Sequence, residues 1–240
     1  MKAVITFHSI DDSGHVLSYP QSSLESLLAG LDRLSLPVLT FDDLLSDETP
    51  RGVALSFDDG MQSILTAAMP VLRDFDVPAH LFLTTSTVGQ DRRGAGGGEK
   101  VSGFEMLSWG EIETLHQSGI RIESHTHSHP DLRELNTEEI ETECEAADSV
   151  IASALGRRPQ YFAYPFGYRN QLARDCVSNR YKAAFSTQLA SLDQRQDPFD
   201  LPRIDSYYLK GSWIRKNLDS AAAQSYLSLR GSLRSFRGTQ

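Results

Sequence analysis

Cysteine is scarce. Cys144 and Cys176 are the only two in 240 residues, and neither falls in a metal-ligand spacing. That argues against a disulfide scaffold and against a cysteine-held zinc, and reduced thiols fit an expected cytoplasmic placement. Long apolar runs are missing too. No stretch approaches the ~20 residues that a membrane-crossing helix needs. The opening run Met1 to His8 is short for a secretion leader, and no small-residue cleavage site follows it. A positive charge balance is lacking: the net charge of −9 argues against nucleic acid as a partner. The one basic bias is local, with Arg215, Lys216, Arg230, Arg234 and Arg237 all in the last 30 residues. A solvated helix and tail is the ordinary explanation there, and peripheral contact with an anionic membrane surface the alternative. Residues 89–103 are rich in glycine, yet no Gly-Lys-Ser/Thr follows, so they are not a phosphate-binding loop. A mobile loop is expected there, with a substrate-covering flap as the second reading.

What is present is ordinary for a globular chain, with 40% hydrophobic and 23% charged residues. One large domain with a sizeable core is expected. Apolar runs at 3–7, 37–39, 52–57, 79–84, 120–123, 161–163, 182–186 and 201–204 read as strands or extended segments. Helical periodicity marks 22–34, 41–45, 61–74, 108–116, 138–155, 169–179 and 211–230. Pro70 should kink or break its helix. Ser108 with Glu111 forms a capping box, and Thr137 is expected to cap the long helix. Alternation of this kind signals a parallel sheet with outer helices. A closed or nearly closed (β/α) barrel fits the length. Residues 1–210 are assigned to the barrel and 211–240 to a C-terminal helix and tail of the same domain.

The chain is organised around Val53-Ala54-Leu55-Ser56-Phe57-Asp58-Asp59-Gly60. A buried strand ends in two adjacent carboxylates, which repel one another and lose hydration. Asp-Gly alone is also a turn signal. A divalent cation would stabilise the pair most directly. His125 and His129 stand four apart and suit imidazole ligation of a borderline metal; a histidine-rich surface turn is the bland alternative. His127 should then point elsewhere. One carboxylate added to the two histidines makes three protein ligands with room for water, the pattern of a catalytic site. The second carboxylate is left to take a proton. His8 and the cluster Tyr164 to Gly167 also follow strands, so the polar groups converge on the face where such barrels carry their active sites. His8 on the opposite wall suits a general acid.

With these residues in view, the chain resembles the polysaccharide deacetylases of the NodB-homology type, carbohydrate esterase family 4, from about residue 3 to 205. The family motif Thr-Phe-Asp-Asp-Gly stands as Ser56-Phe57-Asp58-Asp59-Gly60, and His-Ser/Thr-x-x-His as His125 to His129. The resemblance implies a distorted barrel of about seven parallel strands. It implies Asp58 as catalytic base, and Asp59, His125 and His129 as metal ligands. The third motif departs: Ala163-Tyr164-Pro165-Phe166 replaces Arg-x-Pro-Tyr, so the arginine that would steady the base is missing. The late Leu-x-His is absent, and no histidine follows His129. Phe7-His8-Ser9-Ile10, Phe162 to Gly167 and Leu201-Pro202-Arg203-Ile204 are similar to a rearranged subgroup that processes biofilm poly-N-acetylglucosamine. That subgroup takes its acid histidine from the first strand, which implies His8. It leaves the Phe166 N–H to hold the oxyanion, and Arg203 is expected to replace the lost arginine.

The expectation is a metal-dependent N-deacetylase of an N-acetylated amino sugar or oligosaccharide, in exopolysaccharide or envelope glycan synthesis. Zinc is the first choice of ion, with cobalt, nickel, iron and manganese as the other divalent candidates. Tyr164 or Trp109 is expected to border a pocket for the acetyl methyl. Two rivals stand beside it: a deformylase or other amide hydrolase acting on a small or lipid-linked substrate, and a non-catalytic carbohydrate-binding homologue.

Overall fold

The structure is a computed structural model that describes residues 1–90, 103–193 and 196–237, the side chains of 235–237 excepted. The strands are β1 (Lys2–Phe7), β2 (Ser9–Ile10), β3 (Ser18–Tyr19), β4 (Gly52–Asp59), β5 (His80–Leu83), β6 (Arg121–Ser124), β7 (Tyr161–Ala163), β8 (Ala183–Phe185) and β9 (Ile204–Asp205). The helices are α1 (Gln21–Arg33), α2 (Phe41–Leu45), α3 (Met69–Asp74), α4 (Trp109–Gln117), α5 (Thr137–Leu155), α6 (Gln171–Ser178), α7 (Ser212–Lys216) and α8 (Ala221–Arg237). Seven strands form one parallel sheet in the order β8-β7-β6-β5-β4-β1-β9, and β2 and β3 form a separate two-stranded pair.

The sheet is buried on both faces. Side chains alternate across a strand, so each face collects its own apolar set. Ile5, Leu55, Phe57 and Leu81 point outward and pack with the α1 leucines at 24, 27, 28 and 31. Val4, Ala54, Phe82, Ala163 and Phe185 point inward and form a separate core. Helix α2 closes the base of this inner space: Phe41 and Leu44 join the inner core, and Phe41 stacks on His80 at 3.6 Å between ring centroids. The two sheet edges are drawn together by one extended segment. Leu201 bridges to Phe185 of β8, while Ile204 and Asp205 pair with Ile5 and Thr6 of β1.

Several details differ from the sequence expectations. The expected helix 61–74 opens as a π-turn over Ile64–Ala68, with the Met69 N–H donating to the Ile64 carbonyl, before α3 begins. Pro70 explains this, since it lacks an N–H and its ring crowds the carbonyl four residues earlier. The cap of α5 is Asn136, not Thr137: its side chain accepts from Glu139 N, and the Glu139 carboxylate accepts from Asn136 N. Thr137 occupies the first helical turn, because Asn136 has an acid three residues on and Thr137 does not. Residues 37–39 contribute one bridge, Val38 to Val53, rather than a strand. The expected 211–230 helix divides into α7 and α8, and Ile214, Leu218, Ala223 and Leu227 join the outer core. The loop expected at 89–103 lies, from 91 to 102, outside the described residues.

Candidate active site

The C-terminal ends of β4, β6 and β7 open on one mouth. Strand alternation would send Asp58 and Asp59 to opposite faces. Asp59 escapes it by adopting φ 72°, followed by Gly60 at φ 95°, so both carboxylates are turned toward the mouth. A Cβ at Gly60 would run into Leu83. Both acids are buried, at 3% and 5% exposure. Left-handed backbone is costly outside glycine and clusters at functional sites. Here Asp59, Thr126, His129 and Phe166 all adopt it around a single opening.

The structure brings Asp59, His125 and His129 together, with one ligand-type atom from each within 4.8 Å of the others. Asp59 Oδ1 lies 3.7 Å from Nε2 of His125 and 3.7 Å from Nε2 of His129. His125 Nδ1 is 2.7 Å from the Ala163 carbonyl. A carbonyl only accepts, so Nδ1 carries the proton and Nε2 presents a lone pair to the mouth. Burial holds His125 below its ordinary pKa against the raising pull of Asp58 and Asp59, which keeps the ring neutral. This donor set of one carboxylate and two imidazoles fits a divalent cation. The loop between the histidines is tied at both ends. His129 N donates to Thr126 Oγ1 at 3.0 Å. Glu143 of α5 accepts from His127 N at 3.0 Å, Ser128 N at 2.8 Å and Ser128 Oγ at 2.7 Å. His127 is turned away from the ligand cluster, with Nδ1 2.8 Å from Thr85 Oγ1.

Asp58 has a different environment. Arg203 forks onto it, Nη1 to Oδ1 at 2.7 Å and Nη2 to Oδ2 at 2.8 Å. The guanidinium is itself fixed by donating to Thr6 Oγ1 and to the Ser186 carbonyl, both at 3.1 Å, and is 1% exposed. Thr6, Ser56 and Asp58 share the inward face through the β1–β4 register, so this alignment follows from strand pairing. Burial alone would raise the Asp58 carboxyl; the Arg203 guanidinium beside it is the main influence that brings it down to about 2. It stands ready as a carboxylate, held in one orientation.

His8 follows Phe7, whose register partner is Phe57, and so stands at the level of Asp58 on the neighbouring strand. It is half-buried and lines a cleft with Tyr207 and Tyr208. Phe166 sits across the mouth at φ 58°, its ring edge-on to His129 at 4.5 Å and 47% exposed. The next residue, Gly167, also has positive φ, and any Cβ there would collide with Thr187. Tyr164 does not border the mouth: it is fully buried among Leu132, Ile140 and Phe162 under the outer helices, and its hydroxyl donates to the Phe199 carbonyl. Odd and even positions of a strand end face opposite ways, and Tyr164 falls on the outer side. Trp109 packs from α4 against the outer core. Sequence reasoning missed Glu143, Thr6 and Ser56. Nothing local singles out one acid among the many of α5, or one hydroxyl within a strand.

The model of the family "Polysaccharide deacetylase" matches residues 45–181. The chain is 23% identical over 208 residues to the putative polysaccharide deacetylase YxkH of Bacillus subtilis, covering 84% of this chain and 70% of that one. It is 25% identical over 205 residues to the poly-beta-1,6-N-acetyl-D-glucosamine N-deacetylase of Staphylococcus aureus, covering 78% and 67%. Two solved structures share the fold. IcaB from Ammonifex degensii superposes with TM-score 0.75 at 19% identity over 90% of this chain and 97% of that one. The deacetylase PplD of Streptococcus pyogenes does so with TM-score 0.72 at 19% identity over 85% and 91%. With more than half of its length matched by the family model, the chain belongs to the polysaccharide deacetylase family.

Proposed function

We propose that this protein is a metal-dependent N-deacetylase that hydrolyses the acetamido group of an N-acetylated amino sugar within a glycan, of the exopolysaccharide or cell-envelope kind. The observation that carries it is the division of labour between adjacent carboxylates: Asp59 faces two imidazole nitrogens, while Asp58 is clamped by Arg203. Asp59, His125 and His129 are the residues that would hold the ion, with zinc as first choice for a carboxylate and two imidazoles. Such an ion supplies the electrophile that acidifies water and polarises the acetamide carbonyl.

The chain's own groups do the rest. Asp58 takes a proton from the attacking water as its oxygen bonds to the carbonyl carbon. The Phe166 backbone N–H is assigned to the oxyanion that develops on the carbonyl oxygen. His8 protonates the sugar nitrogen as the C–N bond breaks, releasing acetate and a free amine. Arg203 is a positioning residue, keeping Asp58 charged and aimed.

The test is metal content of the purified protein together with acetate release from N-acetylglucosamine oligomers, with and without a chelator. About one divalent ion per chain and chelator-sensitive acetate release are expected. Formate released from N-formyl substrates in place of acetate would transfer the reading to a deformylase. Sugar binding with neither metal nor hydrolysis would leave a carbohydrate-binding homologue. An Arg203→Ala enzyme with full turnover would remove the positioning role.

A further inference from the structure

The mouth is not symmetric, and one side is built from the part of the chain beyond the family-model match. A cleft of about 240 Å³ runs from His8 between Val16, Asp205, Tyr207, Tyr208 and Arg234. A smaller hollow of about 140 Å³ continues it along α8, past Tyr208, Arg230 and Arg234. Tyr207 is 47% exposed and Val16 54%, although both lie beside a well-packed core. The rings of Tyr207 and Tyr208 meet edge-on at 5.4 Å, and Arg230 lies over the Tyr208 ring at 5.5 Å. Asp205 Oδ1 accepts from the Tyr207 N–H, which fixes the start of the 3₁₀ turn that presents these rings.

Tyr207 shares this cleft with a guanidinium and a carboxylate, with Lys210 Nζ 5.3 Å from its ring centroid, and such a mixture of ring and polar groups matches the needs of a pyranose. The ring covers the apolar C–H face of the sugar, while Arg and Asp exchange hydrogen bonds with its hydroxyl and acetamido groups. Across the mouth, Phe166 and Tyr168 form a second exposed aromatic pair, 5.7 Å apart, beside His129. His8 follows β1 and Phe166 follows β7, with β6, β5 and β4 between them in the sheet, so a sugar chain reaching from one to the other would meet rings at both ends.

We propose that Tyr207, Tyr208 and Arg234 form a subsite for the sugar residue next to the one deacetylated, on the His8 side. The inference rests on the deacetylase reading and deepens it: the turn Ser206–Leu209 and α8 together set the preference for a longer glycan over a monosaccharide. A neighbouring residue bound there contributes affinity for the long substrate and nothing for a monosaccharide.

The experiment compares kcat/KM for N-acetylglucosamine and its β-1,6-linked pentasaccharide, by acetate release, in the intact enzyme and in Tyr207→Ala, Arg234→Ala and Tyr207→Trp. The pentasaccharide-to-monosaccharide ratio should fall about tenfold in each alanine variant, the equivalent of one lost stacking or charge-assisted contact. Tyr207→Trp, which keeps an aromatic face, should hold the ratio near that of the parent. An unchanged ratio in both alanine variants, with Tm preserved, overturns the subsite. If no sugar releases acetate, the deacetylase reading fails on its own. The subsite is then judged by calorimetry of the pentasaccharide on Asp58→Asn with and without Tyr207→Ala, where equal Kd values overturn it and a weaker Kd in the double variant upholds it.

Discussion

The two ends of the barrel hold the same ingredients, a buried carboxylate, histidine and arginine, and use them in opposite ways. At the base, Glu123 and His80 are fully buried. Glu123 Oε2 accepts from Gln160 N at 2.7 Å and Tyr161 N at 3.0 Å, while Arg157 reaches Oε1 at 3.4 Å. His80 Nε2 accepts the Phe41 N–H at 3.0 Å. Glu123 is satisfied by these backbone N–H groups, even though His80 Nδ1 stands 3.7 Å from Oε1 with no hydrogen-bond partner among the described residues, and the cluster pins α2 and β7 to the sheet. At the mouth, Asp59 meets two imidazole nitrogens at 3.7 Å, beyond hydrogen-bond reach. The next carboxylate, Asp58, is occupied by Arg203 and cannot share a proton with it easily. A satisfied buried charge stabilises a fold; one that faces two converging imidazoles suits a cation.

The sharpest way to break this contrast is at Asp59. Asp59→Ala should lose metal retention, with acetate release down by a factor of about 10³ or more, or roughly 4 kcal/mol. The metal-free variant should be no less stable to urea than the metal-free parent, because the carboxylate removed has no hydrogen-bond donor among the described residues. A large stability loss there would make the mouth a structural cluster like the base. Glu123→Ala is the mirror experiment. It orphans the buried Tyr161 N–H, the partly buried Gln160 N–H and the charge of Arg157, and should cost about 3–5 kcal/mol in urea unfolding. Metal affinity of whatever remains folded should be retained.

Arg203→Lys sharpens the comparison within the mouth. Lysine offers a point charge in place of a fork and cannot also reach the Ser186 carbonyl. Turnover should fall by about 10–100-fold, or about 1.4–2.7 kcal/mol, while metal affinity stays constant. A parallel loss of metal would erase the separate roles of Asp58 and Asp59. The smallest effect is a pH dependence at the base. Burial lowers the His80 pKa below its ordinary 6.5, against the raising pull of Glu123. A depressed histidine contributes stability that is present above its unfolded value and lost as pH falls toward its folded value, because the unfolded chain takes up the proton first. Metal-free parent protein should therefore lose stability progressively below about pH 6.5. His80→Gln, which keeps an acceptor for Phe41 N–H, should show a shallower loss in unfolding scans across that range.

Much of the architecture is legible from patterning. The apolar runs that became β1, β4, β5 and β7 carry no charge on either face over most of their length, and only a strand covered on both sides can be built that way. Ser108 and Glu111 announce α4 through local chemistry, and both capping bonds are made. Local chemistry also misleads where two caps compete, as Asn136 and Thr137 do. The site divides along the same line. Adjacent aspartates after a buried strand, and histidines four apart after another, are costly patterns that stand out in one dimension. Glu143 and Thr6 are ordinary residues made important by their partners.

The sequence alone therefore determined the parallel barrel, the mouth on which its strand ends open, and the residue types available for metal and proton transfer. Periodicity, burial cost and strand order are properties of short segments. Which carboxylate meets the histidines, which meets Arg203, and that Tyr164 turns away from the mouth were decided by the tertiary structure. Those choices depend on left-handed backbone at single residues such as Asp59 and Phe166, and on a contact between Arg203 and a partner 145 positions away. No local pattern encodes either one. They become favourable only once β9 has docked beside β1 and excluded the water that would otherwise solvate both charges.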